Sequence, residues 1–212
     1  MTKREIYIFL ALMILASSII YITRSPSKDK IIKLSIPIKE QKQKNEDIVG
    51  RLYIKNTKLN IDIVKGKDND YYLTHDINKN NDIIGTPFLD CNNNIEDKKI
   101  IIYGKNSQTI ETPFHILEQY LEKNFLDNNP YINIDSKIKE KYKISSIIIT
   151  TDNYKFKDID LKEEDFRYIN TNSIYKTNTQ VSEKDKILIL ETNYYKPINS
   201  TLFIIAKKII TN

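Results

Sequence analysis

A rhythm of short β-branched runs, each closed by turn residues, limits what this chain can fold into. Arg51–Ile54, Ile61–Val64, Thr86–Asp90, Lys99–Tyr103, Tyr142–Thr151, Lys186–Thr192 and Thr201–Ile210 are dominated by Ile, Val, Tyr and Thr. Such residues pack well on a pleated, half-buried surface. Many short strands with irregular connections and no internal repeat predict a sandwich or a closed barrel. Two stretches break the rhythm. In TPFHILEQYLEKNF, Phe114, Leu117, Leu121 and Phe125 recur at spacings of three and four, which predicts an amphipathic helix starting at Thr112 or Pro113. LKEEDFRYI, Leu161 to Ile169, predicts a shorter one.

The chain has 212 residues and is 40% hydrophobic, which suffices for one domain with a core plus attachments. Lys and Arg number 33 against 28 Asp and Glu, and the two signs are interspersed, so no basic stripe offers a face for nucleic acid. Cys91 is the sole cysteine and His75 and His115 are the sole histidines. That composition excludes an intrachain disulfide and a zinc cluster, and neither a metal nor a cofactor is expected.

Ile6 to Ile22 carries no charge. About 17 apolar residues is the lower limit for a helix that crosses a bilayer. Lys3 and Arg4 precede the run and favour a cytoplasmic N-terminus. Ile19 and Ile20 continue it past the small residues Ala16-Ser17-Ser18, which argues for an uncleaved anchor rather than a signal peptide. The expected organisation is a cytoplasmic tip and signal-anchor over 1–24, a polar stalk over 25–44 that is partly helical from Ile38, and a folded domain over 45–212 outside the cell.

Five stretches carry a family resemblance. VKGKDNDYYLTHDINKNNDIIGTPFLD resembles class B sortases, the membrane-anchored cysteine transpeptidases of walled bacteria. NEDIVGRLYIKNTKLNIDIV resembles their entry strands, with Arg51 in place of the family's Trp. KKIIIYGKNS followed by TPFHILEQYLEKNF resembles the strand, loop and helix around the family histidine, VSEKDKILILETN the strand that bears the cysteine, and NSTLFIIAKKI the closing strand that bears an arginine. The resemblance runs in order over residues 45–212 and implies a mainly β fold, an eight-stranded closed barrel with a few flanking helices. It also implies a chemistry. A thiolate attacks a Thr–Gly-type bond in a sorting signal, a histidine protonates the leaving amine, an arginine stabilises the oxyanion or positions the substrate, and an amine on the wall takes the acyl group.

At all three of those positions this sequence departs from the family. YGK puts Lys105 at the histidine position, ETN puts Asn193 at the cysteine position, and Thr201 stands where the arginine opens the last strand. An amide nitrogen delocalised into its carbonyl is a poor nucleophile. A lysine with an ordinary pKa of about 10.4 is a poor base near neutral pH. A neutral hydroxyl does not replace a guanidinium fork. Cys91, in the turn DCNNN, reads as an incidental small residue, His115 as a surface or capping-turn histidine, and His75 as part of the structural HD loop.

The preferred expectation is therefore an inactive sortase-like binding or accessory module at the cell surface, with a peptide sorting signal or a protein as partner. Its groove would lie beside Glu191 and Thr192, between the last strands and residues 153–178. Period-two alternation puts Glu191 and Asn193 on one face with Thr192 opposite, so a Lys105–Glu191 ion pair and an Asn193 hydrogen bond are expected there. Three alternatives stay open. One is a divergent active transpeptidase or hydrolase. Another is a purely structural stalked domain. The last is an isopeptide cross-link between Lys105 and Asn193 promoted by a nearby carboxylic acid, which an unchanged intact mass rules out.

Overall fold

The computed structural model describes residues 45–152, 154–156 and 158–210. The expected anchor over 1–24 and the stalk over 25–44 lie outside the described residues, and among the described residues no helix is long and apolar enough to cross a membrane.

Eight strands form a closed barrel: β1 (Ile48–Tyr53), β2 (Asn60–Val64), β3 (Phe88–Leu89), β4 (Lys99–Tyr103), β5 (Tyr131–Asp135), β6 (Lys139–Thr150), β7 (Ile187–Tyr194) and β8 (Ser200–Ile209). Their order around the barrel is β1-β2-β3-β4-β7-β8-β6-β5, and an antiparallel pairing of β5 with β1 closes it. Two pairings are parallel, β2 with β3 and β4 with β7. The β2–β3 seam is held by one residue pair, Val64 with Phe88.

The apolar run of β7 shows why the core has two layers. Leu188 and Leu190 join Ile100, Ile102, Leu202 and Ile204 in the central cluster. Ile187 and Ile189, turned the other way by alternation, join Ile101, Phe203 and Ile205 in a second cluster. Ile169 of α2 (Glu163–Thr171) and Phe156 cover that second cluster. A strand buried on both faces reads as a continuous apolar run, and β7 does.

The stretch expected to be one helix from Thr112 is a 3-10 helix, His115–Leu121, followed by α1 (Lys123–Asn128). Phe114, Leu117 and Tyr120 are all fully buried. Apolar burial at every third residue matches three residues per turn better than 3.6, so the tighter helix buries the aromatic that an α-helical reading leaves off the apolar face.

Glu140 on β6 is a polar pillar. It is 4% exposed, and its carboxylate accepts bonds from Tyr142 Oη at 2.6 Å, Lys208 Nζ at 2.7 Å and Lys186 Nζ at 2.9 Å. Burial pushes this carboxyl up, but the bonds from Lys208, Tyr142 and Lys186 outweigh it and hold the group below the ordinary glutamate value of 4.5. A lowered folded value contributes stability that is complete above about 4.5 and is lost as the pH falls through that folded value. Glu140→Gln is expected to cost about 2–4 kcal/mol in urea unfolding at pH 7, because Lys186 keeps its charge and loses its partner. The difference from the parent should shrink as the pH is taken below 4.5.

Candidate functional site

Parallel pairing of β4 with β7 sets Tyr103 beside Glu191 and lets the chain leave β4 directly against the end of β7. The Gly104 N–H donates to the Glu191 carbonyl at 3.2 Å, and the Thr192 hydroxyl donates to the Gly104 carbonyl at 2.7 Å. A Cβ at Gly104 would sit 2.6 Å from ring atoms of Phe114, so only glycine lets that buried ring seal the loop after β4. The loop then presents Lys105 and Asn106.

Asn106 is the hub. It is 2% exposed, its backbone N–H donates to Asn193 Oδ1 at 3.1 Å, and its Nδ2 donates to the Asn193 carbonyl at 3.2 Å and to Glu118 Oε1 at 2.5 Å. Asn193 Nδ2 donates back to the Asn106 carbonyl at 2.8 Å and to Tyr195 Oη at 2.5 Å. His115 Nδ1 meets Asn106 Oδ1 at 2.9 Å. One hydrogen-bonded chain thus runs from His115 through Asn106 and Asn193 to Tyr195.

The fold brings the three expected positions to one end of the barrel. Thr201 is the cross-strand partner of Asn193, and Lys105 precedes the residue that clasps Asn193. Their side chains diverge, however. The half-buried Lys105 donates its Nζ to the Ile83 carbonyl at 2.8 Å, and among the described residues no hydrogen bond or ion pair joins it to Asn193, Thr201 or Glu191. The expected Lys105–Glu191 pair is not formed. Glu191 instead takes Lys155 Nζ at 2.5 Å, because Lys105 follows the loop toward Ile83 while Tyr154–Phe156 packs over β7.

Glu191 faces a recess of about 370 Å3 that is also lined by Asp90, Lys99, Tyr103 and Phe156. Its 7% exposure explains its chemistry: burial pushes the carboxyl above the ordinary 4.5, Lys155 pulls it partly back, and Asp90 adds to the rise. Thr192 does not line this recess, since its hydroxyl is buried against Gly104. The remaining candidates are apart from the site. Cys91 is half-buried after β3, where its N–H donates to Asn69 Oδ1 at 2.8 Å, and the His75 ring stacks on Tyr71 with centroids 4.0 Å apart. Sequence reasoning missed Asn106, Glu118, Tyr195 and Lys155, and it left His115 outside the site. Adjacency of Asn106 to YGK was the only signal for the hub.

No family model matches the chain. Sortase B of Listeria monocytogenes is 31% identical over 183 residues, which span 82% of this chain and 74% of that protein. This chain is a class B sortase family member. Sortase B of Staphylococcus aureus is 29% identical over 173 residues, 77% of this chain and 70% of that protein. The crystal structure of Clostridium perfringens sortase B superposes with a TM-score of 0.73 at 27% identity, covering 81% of this chain and 99% of that one. A complex of Staphylococcus aureus sortase B with substrate does so with a TM-score of 0.73 at 26% identity, over 82% and 85% of the two chains. The family therefore supplies the eight-stranded barrel, and the Asn106–Asn193 clasp describes how this member closes its β4–β7 end.

Two measurements follow from this geometry. Asn106→Ala should lower stability by about 1–3 kcal/mol in chemical unfolding, because it strips partners from Asn193, His115 and Glu118 at once. A raised folded value makes the Glu191 contribution complete below about 4.5 and lost as the pH rises through the folded value, so the charge is unfavourable at neutral pH. Glu191→Gln should accordingly match the parent in urea midpoint at pH 4 and exceed it at pH 8.

Proposed function

We propose that this chain is a sortase B relative that has exchanged acyl transfer for binding at the cell surface, where residues 1–24 hold it in the membrane with the N-terminus in the cytoplasm and the barrel outside. The observation that carries this reading is the clasp on Asn193. Its amide nitrogen donates to Asn106 and Tyr195, so the residue at the family's cysteine position is engaged through a group that cannot serve as nucleophile and leaving group in turn. Two neighbouring facts support it. The Lys105 ammonium is committed to the Ile83 carbonyl, and Thr201 offers a neutral hydroxyl where oxyanion chemistry calls for fixed positive charge. The sole cysteine, Cys91, stands after β3 rather than on β7.

The solved Staphylococcus aureus relative holds a substrate. For this chain the corresponding ligand class is a peptide sorting signal, or a protein segment like one. The recess beside Glu191 is the place to look, although Lys155 and Phe156 already lean into it.

One observation favours a second reading, a residual hydrolase or transpeptidase. His115 reaches Asn193 through a single residue, which supplies an imidazole within the same hydrogen-bonded chain. Incubation of the full-length protein with sorting-signal peptides, with and without an amine acceptor, separates the two. The expected result is no cleavage above the blank and no acyl adduct by mass spectrometry. Cleavage that disappears in Asn193→Ala, Lys105→Ala or His115→Ala would establish the enzyme instead.

A further inference from the structure

The recess beside Glu191 holds two buried charges that do not meet. Lys99 enters it from β4 and Glu191 from β7, at 3% and 7% exposure. They stand at opposite ends of the β4–β7 ladder, where Lys99 is paired with Ile187 and Tyr103 with Glu191. Among the described residues the Lys99 ammonium finds no carboxylate. Its Nζ donates to the Phe156 carbonyl at 2.7 Å and to the Asp158 carbonyl. Burial pulls this ammonium below its ordinary 10.5, and the surrounding aspartates, Asp90 first, offset only part of the fall. Lys99 is in line with Ile101 on β4, at the edge of the second apolar cluster, where an apolar side chain would avoid the cost of a buried ammonium.

One short segment meets both charges. Its carbonyls at Phe156 and Asp158 take Lys99, its Lys155 takes Glu191 Oε1 at 2.5 Å, and its Phe156 ring packs on Phe203 with centroids 5.3 Å apart. The rest of the segment is tied to α2 instead of the barrel. The Tyr154 ring stacks on Tyr168 with centroids 3.8 Å apart, the Tyr154 hydroxyl donates to Asp165 at 2.5 Å, and Asp158 pairs with Lys162, just before α2, at 2.8 Å. Among the described residues no backbone–backbone hydrogen bond joins Tyr154, Lys155, Phe156 or Asp158 to a strand. The segment can therefore leave the recess without breaking a rung of the barrel.

We propose that Tyr154, Lys155, Phe156 and Asp158 form a strap that shuts the recess in the free protein, clamped by Lys99 and latched by the Lys155–Glu191 pair, and that a ligand enters only when the strap swings away on its attachment to α2. The proposal rests on the reading of this recess as the ligand site and adds its regulation. The latch is the weaker fastening, since the Lys155 side chain is 42% exposed and engages Oε1 alone. The clamp is the stronger, because its bonds come from a charged donor shielded from water. Lys99 is thus a positioning residue for the strap, and it burdens the core with a buried charge. Removing it should loosen the strap and relieve the core, two effects of opposite sign.

The test uses the full chain in lipid nanodiscs with 13C-labelled Ile methyl groups and a neutral gadolinium chelate as the soluble probe. The Ile101 and Ile189 methyls belong to the cluster that Phe156 covers, and Ile134 and Ile144 of the central cluster are the references. In Lys99→Met the paramagnetic relaxation of Ile101 and Ile189 should rise at least about threefold, with the references unchanged and the urea midpoint level or raised. Unchanged relaxation at Ile101 and Ile189 overturns the proposal. So does a rise shared by the references, or one accompanied by an earlier midpoint, since either makes Lys99 a structural residue only. Titration with the sorting-signal peptides separates the strap from the reading beneath it. Tighter binding to Lys99→Met than to the parent, again at least about threefold, is expected, and equal affinity overturns the strap as a guard of the recess. If the methyls open and no peptide binds either protein, the strap stands and the choice of this recess as the ligand site falls.

Discussion

The parallel register of β4 against β7 is the constraint on which the candidate site depends. Five consecutive pairs, from Lys99 with Ile187 to Tyr103 with Glu191, bring two strands distant in sequence to a common end. Both chains change character there. β4 runs out into Gly104, which is forced to be small by the Phe114 ring, and β7 runs on into Glu191, Thr192 and Asn193. The clasp of Asn106 on Asn193 is a consequence of that register, as is the burial of Glu191. A slip of one residue would turn Leu188 and Leu190 out of the central cluster and Asn193 into it.

Two buried glutamates show how the same barrel handles charge in opposite ways. Glu140 collects two lysines and a tyrosine, and its charge is stabilised below its ordinary range. Glu191 has one lysine, Lys155, whose side chain is 42% exposed, and the net effect is the reverse. The number and burial of partners decide the sign, since each desolvated charge must be matched by bonds of comparable strength. The first glutamate ties β6 to Lys208 of β8 and to Lys186 just before β7. The second sits at the end of the barrel that bears the candidate site, where a poorly compensated charge is usually found in functional recesses.

Much of the barrel is legible in the sequence because several of its strands carry continuous apolar runs, as β4 and β7 do. The run Ile187–Leu190 declares itself through alternating Ile and Leu, and β6 through the β-branched stretch Ile147–Thr150. β5 does not: its five residues, YINID, include Asn133 and Asp135, and Asn133 is buried by virtue of a side-chain bond to the Tyr53 carbonyl that only the folded chain reveals. The 3-10 helix is hidden for a related reason, since spacings of three and four fit an α-helix until Tyr120 is seen to be buried. At the site, the family resemblance singles out Lys105, Asn193 and Thr201 in the sequence, and the fold sets Thr201 opposite Asn193 and Lys105 beside the residue that clasps it. Their partners could not be read from the sequence. The links from Asn193 to Asn106, from Glu191 to Lys155 and from Lys105 to Ile83 each join residues 22 to 87 positions apart, and no local pattern encodes them.

The seam between β2 and β3 gives the barrel an unequal circumference. Every other neighbouring pair of strands is joined by at least two residue pairs, whereas this one is joined at Val64 and Phe88 alone. A hoop riveted at a single point along one meridian is softest there. Widening that line by an ångström breaks one rung, while the same strain applied at β6–β8 would break many. The long β6–β8 and β7–β8 ladders, the latter setting Asn193 opposite Thr201, lie across the ring from that seam.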